Sequence, residues 1–113
     1  MKRSPITTHV LDTHRGRPAA GIGVRLERLS GGDSWRETAA GATDEDGRCE
    51  ELLAPGSRVE AGTYRLTFDT RAYFAGAGFY PFVTIVFEVV DPSQHYHVPL
   101  LLGAHGYTTY RGS

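Results

Sequence analysis

A chain of 113 residues suffices for one domain, 1–113, with a modest core, and 12 basic against 13 acidic residues leave a net charge of −1. The basic residues are dispersed, which argues against nucleic acid, a partner that needs a concentrated positive footprint. No apolar run reaches the roughly 20 residues of a membrane span, and the single cysteine, Cys49, excludes an internal disulfide.

The strand signals are short and frequent. Met1-Lys2-Arg3-Ser4-Pro5 has no apolar stretch behind its charges, so no secretory leader is read there and a cytoplasmic location is expected. Ile6 to Asp12 is rich in β-formers and ends in a polar loop through Gly16 and Pro18. Ala19 to Leu29 alternates, with Val24 and Leu26 on one face and Arg25 and Glu27 on the other. A hairpin loop at Ser30 to Ser34 leads to a partner strand from Trp35 to Thr43, weak in its Ala39-Ala40-Gly41-Ala42 half. Asp44-Glu45-Asp46-Gly47 reads as a turn, followed by a short edge strand from Arg48 to Leu53. Gly62 to Asp69 alternates again, with Tyr64, Leu66 and Phe68 together. Thr70 to Ala77 is a turn or two of helix, kept short by its glycines. Pro81 to Val90 is the most apolar strand, and Gln94 to Leu102 and Gly106 to Arg111 complete the set. About eight strands with frequent turns predict an all-β sandwich or barrel.

Four side chains and the chain end carry the candidate chemistry. His9 shares a strand face with Thr7 and Leu11; a histidine simply satisfied by its neighbours is the plainer reading. His95 and His97 are two apart and therefore share a face, one expected at a site and the other at its rim. His-x-His is half of a zinc site, but three or four ligands are needed, and Cys49 stands between Arg48 and Glu50. No metal and no cofactor are therefore expected. Arg48 follows a tight turn that holds its backbone, and its planar guanidinium suits two-point binding of a carbonyl or carboxylate. The chain closes on Tyr110-Arg111-Gly112-Ser113, a patterned end that places an arginine, a hydroxyl and a carboxylate at a defined point. Ser113 has no Gly-x-Ser-x-Gly elbow around it, so it is read as a hydrogen-bonding group.

Several segments together resemble the transthyretin-related enzymes, the 5-hydroxyisourate hydrolases. They are Ser4-Pro5-Ile6-Thr7-Thr8-His9-Val10-Leu11-Asp12-Thr13, Gly16-Arg17-Pro18-Ala19, Thr43-Asp44-Glu45-Asp46-Gly47-Arg48-Cys49, Phe79-Tyr80-Pro81-Phe82, His95-Tyr96-His97-Val98-Pro99-Leu100-Leu101-Leu102 and Tyr110-Arg111-Gly112-Ser113. The terminal tetrapeptide distinguishes the enzyme branch from the hormone-carrying transthyretins. The resemblance implies a β-sandwich of two four-stranded sheets with one short helix, assembled as a homotetramer with active sites at the dimer–dimer interface. It implies hydrolysis of 5-hydroxyisourate to 2-oxo-4-hydroxy-4-carboxy-5-ureidoimidazoline in urate degradation. It assigns catalysis to His9, Arg48 and His97, and substrate binding to Tyr110, Arg111, Gly112 and Ser113. The chain departs from the family at Gly103-Ala104-His105, where Ser-Pro-aromatic is usual, and in a short loop around Ala75 to Gly78. A non-catalytic carrier of small ligands is the alternative, because fold does not dictate function.

Overall fold

The computed structural model describes residues 4–113; the reading of Met1-Lys2-Arg3 lies outside the described residues. The elements run β1 (Ile6–Asp12), β2 (Arg17–Pro18), β3 (Gly23–Ser30), β4 (Ser34–Ala42), β5 (Arg48–Cys49), β6 (Gly62–Phe68), α1 (Thr70–Tyr73), β7 (Val83–Val89), β8 (Tyr96–Leu102) and β9 (Tyr107–Thr109). One sheet has the order β2-β1-β8-β9, with β5 also on β1; the other has the order β4-β3-β6-β7. The two-residue strands β2 and β5 divide the same edge of β1 between them, β2 opposite Leu11 and Asp12, β5 opposite Thr8 and His9. The expected four-strand sheet thus gains a fifth member because one edge is covered in two pieces.

The core lies between the sheets and follows the period-2 pattern. Ile6 and Val10 of β1, Val24 and Leu26 of β3, Tyr64, Leu66 and Phe68 of β6, and Leu100 and Leu102 of β8 are all buried. Burying side chains of this size stabilises by about 1.5–3 kcal/mol each. Boundaries differ from the sequence pattern where backbone conformation overrides it. The expected strand from Ala19 begins only at Gly23, because Gly21 adopts a positive φ of 77° and turns the chain. The alanine-rich end of β4 stays extended through Ala42, paired residue for residue with β3. The helix stops at Tyr73, with Ala75 and Gly76 at φ 52° and 81° ending it.

The junction of β1 and α1 is held by a buried carboxylate. Asp12 accepts from the Tyr73 hydroxyl at 2.6 Å and from the Arg15 amide at 2.9 Å, and the Arg15 guanidinium lies 3.9 Å away. Burial alone would raise its pKa, but the Tyr73 hydroxyl, the Arg15 and His14 amides and the Arg15 charge outweigh it, so Asp12 titrates below the usual carboxylate range. A depressed folded pKa contributes stability that is present above the unfolded value, about 3.9, and is lost as pH falls through the folded value. Tyr73→Phe is therefore expected to lower stability by about 1–3 kcal/mol near pH 7. Thermal melts across pH should show the gap from wild type narrowing below about pH 4; a gap independent of pH would detach the Tyr73 hydroxyl from Asp12 ionisation.

Candidate active site

The outward face of the β1-β8 pair gathers the chemistry. Strand alternation sends Ile6, Thr8 and Val10 inward and Thr7, His9 and Leu11 outward. In parallel register Thr7 lies opposite His97 and His9 opposite Pro99, so His9 and His97 are diagonal neighbours on one face. Strand spacing and rise put their Cα atoms about 8 Å apart. Arg48 is the antiparallel partner of His9 across the β1–β5 ladder, and directly opposed residues project from the same face. Each of the three side chains is half-buried.

One turn fixes both His9 and Arg48. The Asp44 carboxylate accepts from the Asp46 amide at 2.9 Å and the Arg48 amide at 3.0 Å, while the backbone closes with Gly47 N–H to Asp44 C=O at 2.9 Å. The same turn offers the Asp46 carbonyl to His9 Nε2 at 2.8 Å. A carbonyl only accepts, so His9 carries its proton on Nε2, and Nδ1 holds the lone pair in the neutral ring. The Gly47 carbonyl then accepts from the Val10 amide at 2.7 Å and locks the turn against β1.

His97 is oriented from the other side of its ring. Its Nδ1 lies 2.8 Å from the Thr7 hydroxyl, and His95 Nε2 lies 3.0 Å from the same oxygen. The histidine pair, expected to divide between the site and its rim, meets at Thr7, the two rings nearly parallel at 17°. Thr7 is buried beneath them although it sits on the outward face. Sequence reasoning placed Thr7 on the His9 face but gave it no role; the signal was a small hydroxyl residue opposite a histidine pair on a common face.

The chain end reaches this face through its glycine. Pro99 brings no N–H to the ladder, and β9 stops at Thr109 beside it. Pairing resumes as a single bridge, with the Gly112 amide donating to the His97 carbonyl at 2.9 Å. A Cβ on Gly112 would stand 2.6 Å from His97 Cδ2, so only glycine lets the backbone lie against that imidazole. Ser113 follows directly, exposed, and Tyr110 stands 56% exposed. Arg111 alternates to the other face. Its guanidinium stacks 4.4 Å over the buried Tyr96 ring and donates to the Gln94 amide oxygen at 3.1 Å. Within one subunit the structure therefore brings Gly112 to the imidazoles and takes the Arg111 side chain away from them. His105 lies in the β8–β9 loop, at the far end of β8 from His97.

Burial, with a smaller contribution from Asp44, pushes the Cys49 thiol up, so it is protonated at neutral pH and a poor nucleophile. Among the described residues no three His, Cys, Asp or Glu side chains group as metal ligands. A depression of about 720 Å³ lies on the other sheet, lined by Arg25, Arg65 and Thr84, away from the imidazoles. Among the described residues no helix is long and apolar enough to cross a membrane.

Fold and face define a class: an all-β sandwich that carries acid–base side chains and a guanidinium on the outer surface of one sheet. The HIUase/Transthyretin family model matches residues 6–112, and the chain belongs to that family. It is 50% identical over 114 residues to the 5-hydroxyisourate hydrolase of Mus musculus, covering 97% of this chain and 96% of that protein. Among solved structures it superposes on the Klebsiella pneumoniae 5-hydroxyisourate hydrolase with a TM-score of 0.83 at 34% identity, both chains covered completely (100%). Sea bream transthyretin in complex with thyroxine gives a TM-score of 0.87 at 29% identity, covering 96% and 95% of the two chains. Near-equal superposition on a hydrolase and on a thyroxine complex means that the backbone does not separate the two functions; the side chains on the face must.

Proposed function

We propose that the protein is a hydrolase that opens the six-membered ring of 5-hydroxyisourate at its amide-like C–N bond, in urate degradation, as a single transthyretin-like domain. The observation that carries this reading is the convergence of His9, Arg48 and His97 on one sheet face, with the Gly112 backbone packed against His97. Water is a weak nucleophile at neutral pH, and a positioned imidazole is the side chain whose ordinary pKa suits its activation. His9 and His97 hold and deprotonate the water, and its oxygen bonds to the ring carbonyl carbon. The electron pair moves to the carbonyl oxygen, where Arg48 stabilises it. As that oxyanion collapses, the C–N bond breaks and the nitrogen takes a proton from an imidazolium. Tyr110, Gly112 and Ser113 orient the planar ring. Arg111, assigned with them, acts by fastening the chain end to Tyr96 and Gln94. An apolar lining would favour a carrier; this face is lined by imidazole, guanidinium and a polar chain end.

The face is open in one subunit, and water must be excluded for its electrostatics to act at full strength. A second copy closing over it accounts for that, and we read the assembly as a homotetramer with sites at the dimer–dimer interface. Strands β7 and β9 each stand at one end of a sheet, with an outer edge that no described strand covers, and they flank one cleft lined by Ile85, Phe87, Tyr96 and Tyr110. Such edges are templates for strand pairing with another chain. The lone, reduced thiol of Cys49 suits the cytoplasm. Freshly generated 5-hydroxyisourate should lose its ultraviolet absorbance many-fold faster with catalytic amounts of protein than without. Decay at the spontaneous rate would refute the hydrolase reading.

A further inference from the structure

The Thr7 hydroxyl has one hydrogen and two lone pairs, yet it faces two imidazole nitrogens, His97 Nδ1 at 2.8 Å and His95 Nε2 at 3.0 Å. We propose that Thr7 is a tautomer latch: a positioning residue that, set by His95, keeps the proton of neutral His97 on Nδ1 and the lone pair on Nε2. This rests on the reading of His97 as a reacting imidazole.

Hydrogen-bond complementarity allows two arrangements of this hydroxyl, and the latch is the one that leaves the His97 lone pair on Nε2. When neutral His95 carries its proton on Nδ1, its Nε2 accepts, and the Thr7 hydrogen turns toward it. The hydroxyl oxygen then presents lone pairs to His97, which Nδ1–H satisfies. The lone pair of His97 is left on Nε2, the nitrogen bonded to the Cδ2 against which Gly112 packs. During attack, Nε2 takes the proton from water while Nδ1–H stays on Thr7. As the C–N bond breaks, the same proton passes from Nε2 to the departing nitrogen, so the latch is unchanged over one turnover. Protonating His95 puts a hydrogen on its Nε2 and turns the Thr7 hydrogen toward His97 Nδ1. The lone pair of His97 is then on the wrong nitrogen. Activity should therefore fall in acid as His95 charges, in addition to any loss from His97 itself.

Other ionisable groups bear on this face and bias the same equilibrium. Arg48 on β5 and His9 on β1 lie on one side of Thr7, and Glu50 follows β5, its carbonyl bonded to the Ser4 amide. Tyr110 and Ser113 lie on the β9 side, whereas the Arg111 charge is turned to the opposite face.

The test is nitrogen-15 NMR of the intact protein together with steady-state kinetics of Thr7→Val and Thr7→Ser. In wild type near pH 8 the His97 resonances should report protonated Nδ1 and bare Nε2. Thr7→Val should lose that pattern, lower kcat at least about tenfold with KM within about twofold, and shift the acid limb of the pH profile. Thr7→Ser should restore kcat to within about threefold, because the hydroxyl alone is the latch. A wild-type His97 protonated on Nε2, or a Thr7→Val enzyme with unchanged kcat and acid limb, would overturn the proposal. Should Thr7→Val fail to fold, His95→Phe replaces it: it removes the acceptor that turns the hydroxyl, and must alter the His97 pattern. Full activity in His97→Gln would sink the site reading, whereas the NMR pattern judges the latch separately.

Discussion

Arg48→Ala, His9→Ala and His97→Ala should each fold and melt within a few degrees of wild type yet lose most of the ring-opening rate. For Arg48 the expected loss is about 10²–10³ in kcat, the effect of removing one donor to a developing oxyanion. For the histidines it is about 10²–10⁴, the range of a positioned acid or base. Folding should survive because none of the three belongs to the sandwich interior, and each side chain is half-buried on an outer face. His9→Ala releases only the Asp46 carbonyl, which water can reach. Arg48 keeps its strand through backbone bonds, since the Asp44 carboxylate holds its amide rather than its guanidinium. Because these groups act on the transition state, kcat and kcat/KM should fall together. Near wild-type turnover in any one variant removes that residue from the mechanism.

The second large effect is expected one residue before Arg48. Gly47 has φ 76°, and a Cβ there would stand 2.4 Å from the Val10 carbonyl oxygen and 3.1 Å from the Ala19 amide nitrogen. Both neighbours are backbone and cannot swing aside. Gly47→Ala must therefore move the turn off β1 and weaken the 2.7 Å bond from the Val10 amide to the Gly47 carbonyl. The left-handed conformation costs about 1–2 kcal/mol for a residue with a Cβ. A buried donor losing its acceptor adds about 1–3 kcal/mol. The sum, about 3 kcal/mol, corresponds to a fall in melting temperature of at least about 10 °C for a domain of this size. Activity per folded molecule should fall too, because the turn sets both the Arg48 backbone and the carbonyl that holds His9. A Gly47→Ala protein with wild-type melting and turnover would show that the turn does not govern the site.

Much of this arrangement is legible in the residue pattern, because period-2 alternation fixes faces before any partner is known. Thr7, His9 and Leu11 share a face by alternation, as do His95 and His97, and the structure keeps both sets. Alternation does not say which strands are neighbours. The adjacency of Arg48 and His9 depends on β5 occupying the half of the β1 edge that β2 leaves open, a long-range pairing with no local signature. The role of Thr7 was hidden for the same reason: its two partners lie 88 and 90 residues away. Arg111 shows the converse. Its neighbour Gly112 packs on His97, so alternation turns Arg111 to the other face, a deduction that needs the His97–Gly112 bridge to anchor the register. The strand expected from Ala19 failed where Gly21 turns the chain, since apolar alternation carries no information about φ.

The most direct test of the central claim is a crystal structure of the assembled protein with a planar, urate-like purine that lacks the scissile bond. The account predicts the ring bound over the β1-β8 face, its carbonyl oxygen within hydrogen-bonding distance of Arg48, a water between His9 and His97, and the chain end of Gly112 and Ser113 along its edge. A purine seated elsewhere, with the two imidazoles and Arg48 facing bulk solvent in the assembly, would contradict it.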